Sequence, residues 1–318
     1  YSKHFHIITA IPNVFTSNLQ QNKLPTITDL EGKVEREEPI GFDKITDLSW
    51  KDVLDLYTCT ECGRCSDNCP AYTTEKKLSP KHVTLALRDH LYTCEPLVIY
   101  KGTSAEVDAS KLPEMSRHEM HHAEPPKDAY FIADRIVELI PNILDPDVVW
   151  ACTTCRACEE QCPVMISYVD KFVNMRRNLV MMKNEFPAEL MKPFNGIETN
   201  GNPWNMSQMD RANWTEGLDV PLLSDNKDAK VLYWVGCAAS YDDRAKKIAR
   251  ATVQLFKQAG VDYAIPGTEE TCTGDPARRA GNEFLFQMIA QRSVETLTGY
   301  PAAKQMRFTT CPHCLNTL

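Results

Sequence analysis

One spacing constrains this chain more than any other. Cys-x2-Cys-x2-Cys-x3-Cys-Pro occurs twice, at Cys59, Cys62, Cys65 and Cys69 before Pro70, and at Cys152, Cys155, Cys158 and Cys162 before Pro163. Three thiols at i, i+3 and i+6, with a fourth just beyond, bend the backbone around something that sulfur binds well. Each closing proline lacks an N–H and fixes φ, so it redirects the chain past the site. Zinc held by four cysteines per run is the competing occupant. It fits poorly, because zinc sites use paired Cys-x2-Cys knuckles rather than a third thiol at the same step. The chain has 13 cysteines in 318 residues. An odd, clustered set argues against a secreted disulfide framework and for reduced, metal-binding thiolates in a cytosolic compartment.

The doubled run is similar to that of bacterial ferredoxins, in which three thiolates hold one cubane and the fourth turns to the other. This resemblance implies crossed ligation. A first 4Fe-4S cluster would sit on Cys59, Cys62, Cys65 and Cys162, and a second on Cys152, Cys155, Cys158 and Cys69. The text between the runs reads as mostly helical, which predicts a helical two-cluster ferredoxin domain, like that of succinate dehydrogenase iron–sulfur subunits, over residues 45–186.

Around this domain the text changes character. "YSKHFHIITAIPNVF" is apolar and aromatic, too short to span a bilayer, and suited to its interface or to packing on its own domain. Residues 1–44 are expected as a membrane-proximal arm and linker. Helices are expected at "SWKDVLDLY", capped by Ser49, at "LSPKHVTLALRDHLY", capped by Ser79, at "DAYFIADRIVELI", and from Ile166 to Asn184. Residues 187–230 wander in composition and read as a connection. At Val231 the pattern becomes strand, helix, strand: "VLYWVGC", "SYDDRAKKIARATVQLFKQAG", "VDYAI". A helix near Ala277 to Leu297 and a strand "RFTT" follow. The chain opens on Tyr1 and stops just after a cysteine pair, so it is expected to be an internal piece of a longer protein, with the domain at 231–318 incomplete.

The last part carries Cys237, Cys272, Cys311 and Cys314. "VGCAASYDDRAKKIARATVQLFKQAGVD", "EETCTGDPARRAGNE" and "TTCPHCLNTL" resemble the cysteine-rich CCG domain of heterodisulfide-reductase-like proteins. With the doubled run and the "SKHFHI" head, nearly the whole chain resembles the membrane-bound electron transfer flavoprotein:quinone oxidoreductases of bacteria. The fold class so implied is α+β and multi-domain, a helical ferredoxin domain followed by an α/β CCG domain. The resemblance further implies an oxidoreductase head on the cytoplasmic face of the bacterial inner membrane. It would pass electrons from electron transfer flavoprotein, reduced in fatty acid β-oxidation, to menaquinone through haem b in a membrane part outside this chain. One departure stands out: the family has adjacent cysteines before glycine, and this chain has Cys272-Thr273-Gly274. Four thiols, Cys237, Cys272, Cys311 and Cys314, would then hold a third cluster, cubane or linear three-iron, unless they are structural thiols packed without iron. A heterodisulfide-reductase-like thiol/disulfide reductase subunit is the alternative function, and it would want the thiol that Thr273 replaces.

Other signals read as bland. "HEMHH" at His118–His122 satisfies a zinc-protease pattern but lies among prolines, as a solvated loop does. Cys94 has no partner spacing and reads as a packed or surface thiol. Arg278 and Arg279 either balance cluster charge or start a solvated helix. The net charge of −8, with Lys and Arg scattered, argues against a nucleic-acid partner.

Overall fold

The first apolar stretch folds as a helix, α1 (Phe5–Phe15), and a short α2 (Leu30–Glu35) follows. These belong to a computed structural model that describes residues 4–17, 24–100, 136–304 and 306–318. The chain divides into two units, Tyr1–Lys183 and Asn184–Leu318. Among the described residues no helix is long and apolar enough to cross a membrane.

In the first unit, α3 (Trp50–Thr58) starts at a capping box in which Ser49 Oγ accepts from the Asp52 N–H and the Asp52 carboxylate accepts from the Ser49 N–H. Two orphan donors are satisfied at once, which fixes where the helix begins. Two single turns, α4 (Arg64–Asp67) and α5 (Pro70–Thr73), carry the first cysteine run. The long α6 (Pro80–Tyr100) places Pro80 at its first position, where a missing N–H costs nothing. Further on, α7 (Pro146–Trp150), α8 (Ala157–Glu160) and α9 (Val169–Arg177) complete the unit, and a π turn at Asn178–Lys183 continues α9. Leu56, Leu78, Leu87, Leu139, Val149, Ile166 and Phe172 form the core, and Cys59, Cys65, Cys69 and Cys158 are part of it.

The second unit opens with α10 (Met191–Asn200) and a 3-10 turn at Gln208–Thr215. Its sheet is parallel, in the order β2 (Tyr263–Ala264), β1 (Val231–Trp234), β3 (Met306–Thr309). The central β1 pairs Val231 with Tyr263 on one side and with Met306 on the other. It is covered on both faces, which is why it reads as an unbroken apolar run. Tyr233 and Val235 pack with Ala249 and Val253 of the helix Asp243–Gln258, while Leu232 and Trp234 pack with Leu223, Ala264 and Cys314.

Five readings need correction or limits. The helix expected at "DAYFIADRIVELI" lies outside the described residues up to 135, and its described end is not helical. Glu138 bridges Lys44, the Leu139 N–H donates to the Asp43 carbonyl at 2.7 Å, and Pro141 follows. The helix expected from Ile166 begins at Val169, because the Glu159 carboxylate accepts from the N–H groups of Tyr168 and Val169, each at 2.8 Å, and caps it there. The single helix expected near Ala277 to Leu297 is two, Asp275–Arg279 and Glu283–Thr298, broken at Gly281 with φ 91°. The stretch read as a connection over residues 187–230 holds α10 and the Gln208–Thr215 turn. The "HEMHH" stretch lies outside the described residues.

Candidate metal centres

The two cysteine runs fold alike. Cys59 ends α3, Glu61 and Gly63 take φ of 58° and 85°, and α4 carries Cys65. In the second run Thr154 and Arg156 take 55° and 62°, and α8 carries Cys158. Side-chain-bearing residues are strained in that region, so three of them at matching places mark a backbone bent for the site. Arg156 is held there by ion pairs to Glu159 and, at 3.0 Å, to Asp170.

Cys162 leaves its own run. A cavity with about 270 Å3 of empty space, partly open to solvent, is lined by Cys59, Cys62, Cys65 and Cys162, with Gly63, Val164, Ile166 and Tyr168 among its walls. Burial pushes the Cys59 thiol up to about 11, and the neighbouring Cys65 and Cys162 add to it. The buried Tyr168 side chain hydrogen-bonds Cys65, and the Ile166 N–H donates to Cys162 Sγ at 3.4 Å. Cys69 lies near enough to the second run for its charge to act there. Burial raises Cys152 and Cys158, and the charges of Cys155 and Cys69 act on both in the same direction. The Thr154 N–H donates to Cys152 Sγ at 3.4 Å, and the Arg176 guanidinium donates to the carbonyls of Val149 and Cys152 at 2.8 and 2.5 Å. Thiols raised by burial are poor nucleophiles as they stand. They fit ligands that ionise when a cation offsets their charge.

The four C-terminal thiols converge on the turn before Cys237. The helices here are α11 (Cys237–Tyr241), α12 (Asp243–Gln258), α13 (Asp275–Arg279), α14 (Glu283–Thr298) and α15 (Pro312–Thr317). Cys237 opens α11, Cys272 precedes α13, and Cys311 and Cys314 open and ride α15. A Cβ on Gly236 would stand 3.5 and 3.6 Å from the sulfurs of Cys311 and Cys314. Cys237 is hydrogen-bonded with Cys272, which lowers Cys237 and raises Cys272; Cys311 and Cys314 form a second such pair, with Cys311 lowered to about 6. Thr273, 1% exposed, turns into the same place, with its hydroxyl 4.0 Å from Cys314 Sγ. The Gly274 N–H donates to Cys272 Sγ at 3.4 Å. Among the described residues no three His, Cys, Asp or Glu are gathered as around a single ion.

The remaining candidates resolve simply. All 13 cysteines are free thiols, and Cys94 is buried in the core beside His90. Arg279 pairs with Asp275 at 2.6 Å, and Arg278 stands by Glu283 and over the Phe286 ring. Sequence reasoning missed Tyr168, Arg176, Arg211 and Glu270, all buried beside cysteines. Only Glu270, two residues before Cys272, stood near a motif.

Residues 55–166 match the 4Fe-4S dicluster domain family, and residues 231–318 match the cysteine-rich domain family. The chain is similar to EtfAB:quinone oxidoreductase of Syntrophomonas wolfei, with 37% identity over 98% of this chain and 42% of that protein. It is 36% identical to the probable iron–sulfur-binding oxidoreductase FadF of Bacillus subtilis, over 99% of this chain and 45% of that one. It is 26% identical to one of the subunits of the dihydromethanophenazine:CoB–CoM heterodisulfide reductase of Methanosarcina mazei, over 81% of this chain and 56% of that subunit. The chain thus spans less than half the length of the first two. No solved structure matches it.

Proposed function

The chain belongs to the iron–sulfur proteins that join a 4Fe-4S dicluster domain to a cysteine-rich domain, and we propose that it is the electron-transfer head of a membrane oxidoreductase. In this reading it takes electrons from reduced electron transfer flavoprotein and delivers them toward menaquinone through haem b outside this chain. The observation that carries it is the exchange of fourth cysteines, with Cys162 lining the cavity of Cys59, Cys62 and Cys65, and Cys69 acting on Cys152 and Cys158. In this reading two 4Fe-4S clusters are ligated crosswise by these eight thiols. Cys237, Cys272, Cys311 and Cys314 would hold a third cluster, cubane or linear three-iron.

Bound clusters of this kind supply one-electron transfer. The residues of the chain do the rest: they fix the thiols and donate N–H groups to sulfur at Thr154, Ile166 and Gly274. The membrane side is supported by α1, which turns Ile7, Ile8, Ile11, Val14 and Phe15 outward while burying Thr9 and Asn13. An apolar helix face of this length suits a bilayer interface. The thiol/disulfide reductase alternative is weakened by Thr273, whose hydroxyl occupies the place beside Cys314 where a further thiol would be wanted.

Stopped-flow mixing of the full-length protein with reduced electron transfer flavoprotein tests the reading. Rapid cluster bleaching is expected, slower at high salt if the acidic head meets a basic docking surface. Cys272→Ala should still be reduced by the flavoprotein but fail to reduce quinone. Reduction by a dithiol and not by the flavoprotein would overturn the relay in favour of disulfide chemistry.

A further inference from the structure

Arg211 lies in the Gln208–Thr215 turn, ahead of the residues that match the cysteine-rich domain, and it is 1% exposed. Its Nη2 stands 3.5 Å from Cys237 Sγ and donates to Glu270 Oε1 at 2.7 Å, while Nε and Nη1 have no hydrogen-bond partner and the guanidinium carbon lies 5.9 Å from the centre of the Tyr241 ring. Glu270, equally buried, also accepts from the N–H groups of Val235 and Gly236 at 2.8 and 2.7 Å, the two residues before Cys237. Glu270 therefore ties the guanidinium to the backbone that presents Cys237. Ten residues earlier, at the end of α10, the Gly201 carbonyl accepts from the Cys272 N–H at 2.7 Å. A segment outside the matched domain thus touches both Cys237 and Cys272.

An arginine buried with two donors unmet is costly. Sulfur acceptors carrying negative charge beside Cys237 are what such donors fit. We infer that Arg211 is a positioning residue for the third centre: a guanidinium fixed by Glu270 against the Cys237 sulfur, which raises the midpoint potential of that centre. The inference rests on the reading that Cys237, Cys272, Cys311 and Cys314 hold a cluster. The direction follows from charge. Reduction adds one negative charge to the centre, which a buried cation little screened by solvent stabilises, and N–H donation to sulfur draws electron density from it; both effects favour the reduced form. Glu270 opposes this in charge and acts on Cys237 itself, but its oxygens are committed to Arg211 and two backbone N–H groups.

The test uses the anaerobically purified chain, with the third centre identified as the EPR signal that Cys272→Ala abolishes. In wild type labelled with 15N-arginine, pulsed EPR of that signal should show coupling to a guanidinium nitrogen, and Arg211→Lys should remove it. Redox titration should place the third centre of Arg211→Met below wild type and that of Arg211→Lys between the two, with the other centres unmoved. A loaded third centre without arginine coupling, or with an unchanged potential in Arg211→Met, overturns the inference. If Arg211→Met does not assemble the centre, the labelled wild type decides alone. Iron in wild type for two cubanes only, with no signal sensitive to Cys272→Ala, removes the underlying reading and the inference with it. That outcome is distinct from a loaded centre that ignores Arg211.

Discussion

A Cβ added to Gly236 would stand 2.7 Å from the Cβ of Cys311, on a residue whose φ is 86°. The backbone can approach Cys311 only because no side chain intervenes. Gly236→Ala is therefore expected to push Cys311 aside and to lose the iron of the third centre while the other two stay loaded, as iron analysis with EPR would show. Gly63 is a useful contrast. It has φ 85°, yet a Cβ there meets nothing nearer than 4.0 Å. Gly63→Ala should cost only the left-handed strain, about 1–2 kcal/mol, read as a lowered denaturation midpoint with every cluster retained. At this scale the cysteines were legible because their spacing is local. Arg211 was not: it reaches Cys237 only through the folded Gln208–Thr215 turn, and no interval in the sequence encodes that approach.

Helix α1 shows the same division between what a pattern reveals and what packing decides. Its apolar composition was readable, but not that its polar residues face inward. Asn13 Nδ2 donates to the Val164 carbonyl at 2.8 Å, Asn13 Oδ1 accepts from Lys51 at 2.8 Å, and Phe5 meets Tyr57 edge-on. With that side pinned, Ile8 and Ile11 are 69% and 77% exposed. The chain should sediment with phospholipid vesicles, and the double change Ile8→Asp with Ile11→Asp should abolish this while leaving circular dichroism unchanged; equal sedimentation of both would refute the membrane role. Where α3 meets α9, Lys171 Nζ lies 2.6 Å from Asp55 and 3.1 Å from Asp52. Lys171→Met leaves buried carboxylates short of a partner and should destabilise the first unit by about 3–5 kcal/mol. Burial raises Asp52, but Lys171 and Ser49 outweigh it, so its folded value lies below 3.8. Its share of stability is thus full above the ordinary carboxylate value and fades as pH falls through the lower folded one. Thermal melts of wild type and Lys171→Met should converge on acidification below that range. The non-helical residues 136–140 of "DAYFIADRIVELI" and the break at Gly281 escaped the sequence for a comparable reason. A bridge to Lys44 and a left-handed glycine override periodicity that would otherwise carry a helix onward.

Across the whole molecule, the matches to a dicluster domain and a cysteine-rich domain bear out the fold class and the family resemblance read from cysteine spacing. What spacing alone left to analogy is the partnership between distant runs, because nothing local to Cys69 or Cys162 says which centre either one serves. The first unit supplies a physical handle on this. Cys59, Cys65, Cys69 and Cys158 belong to a single core, so a cluster in either place stiffens both ends of the unit, and binding is coupled to folding. Cys62 and Cys155 are instead exposed, so replacing either would remove a proposed ligand with little loss of packing, and each variant serves as a marker for one proposed centre. Under crossed ligation, Cys69→Ala should weaken the EPR signal that Cys155→Ala abolishes and spare the one that Cys62→Ala abolishes. Cys162→Ala should do the reverse. If Cys69→Ala instead damages the signal marked by Cys62→Ala, each run serves its own cluster, and the neighbourhood of Cys162 with Cys59, Cys62 and Cys65 is packing rather than ligation.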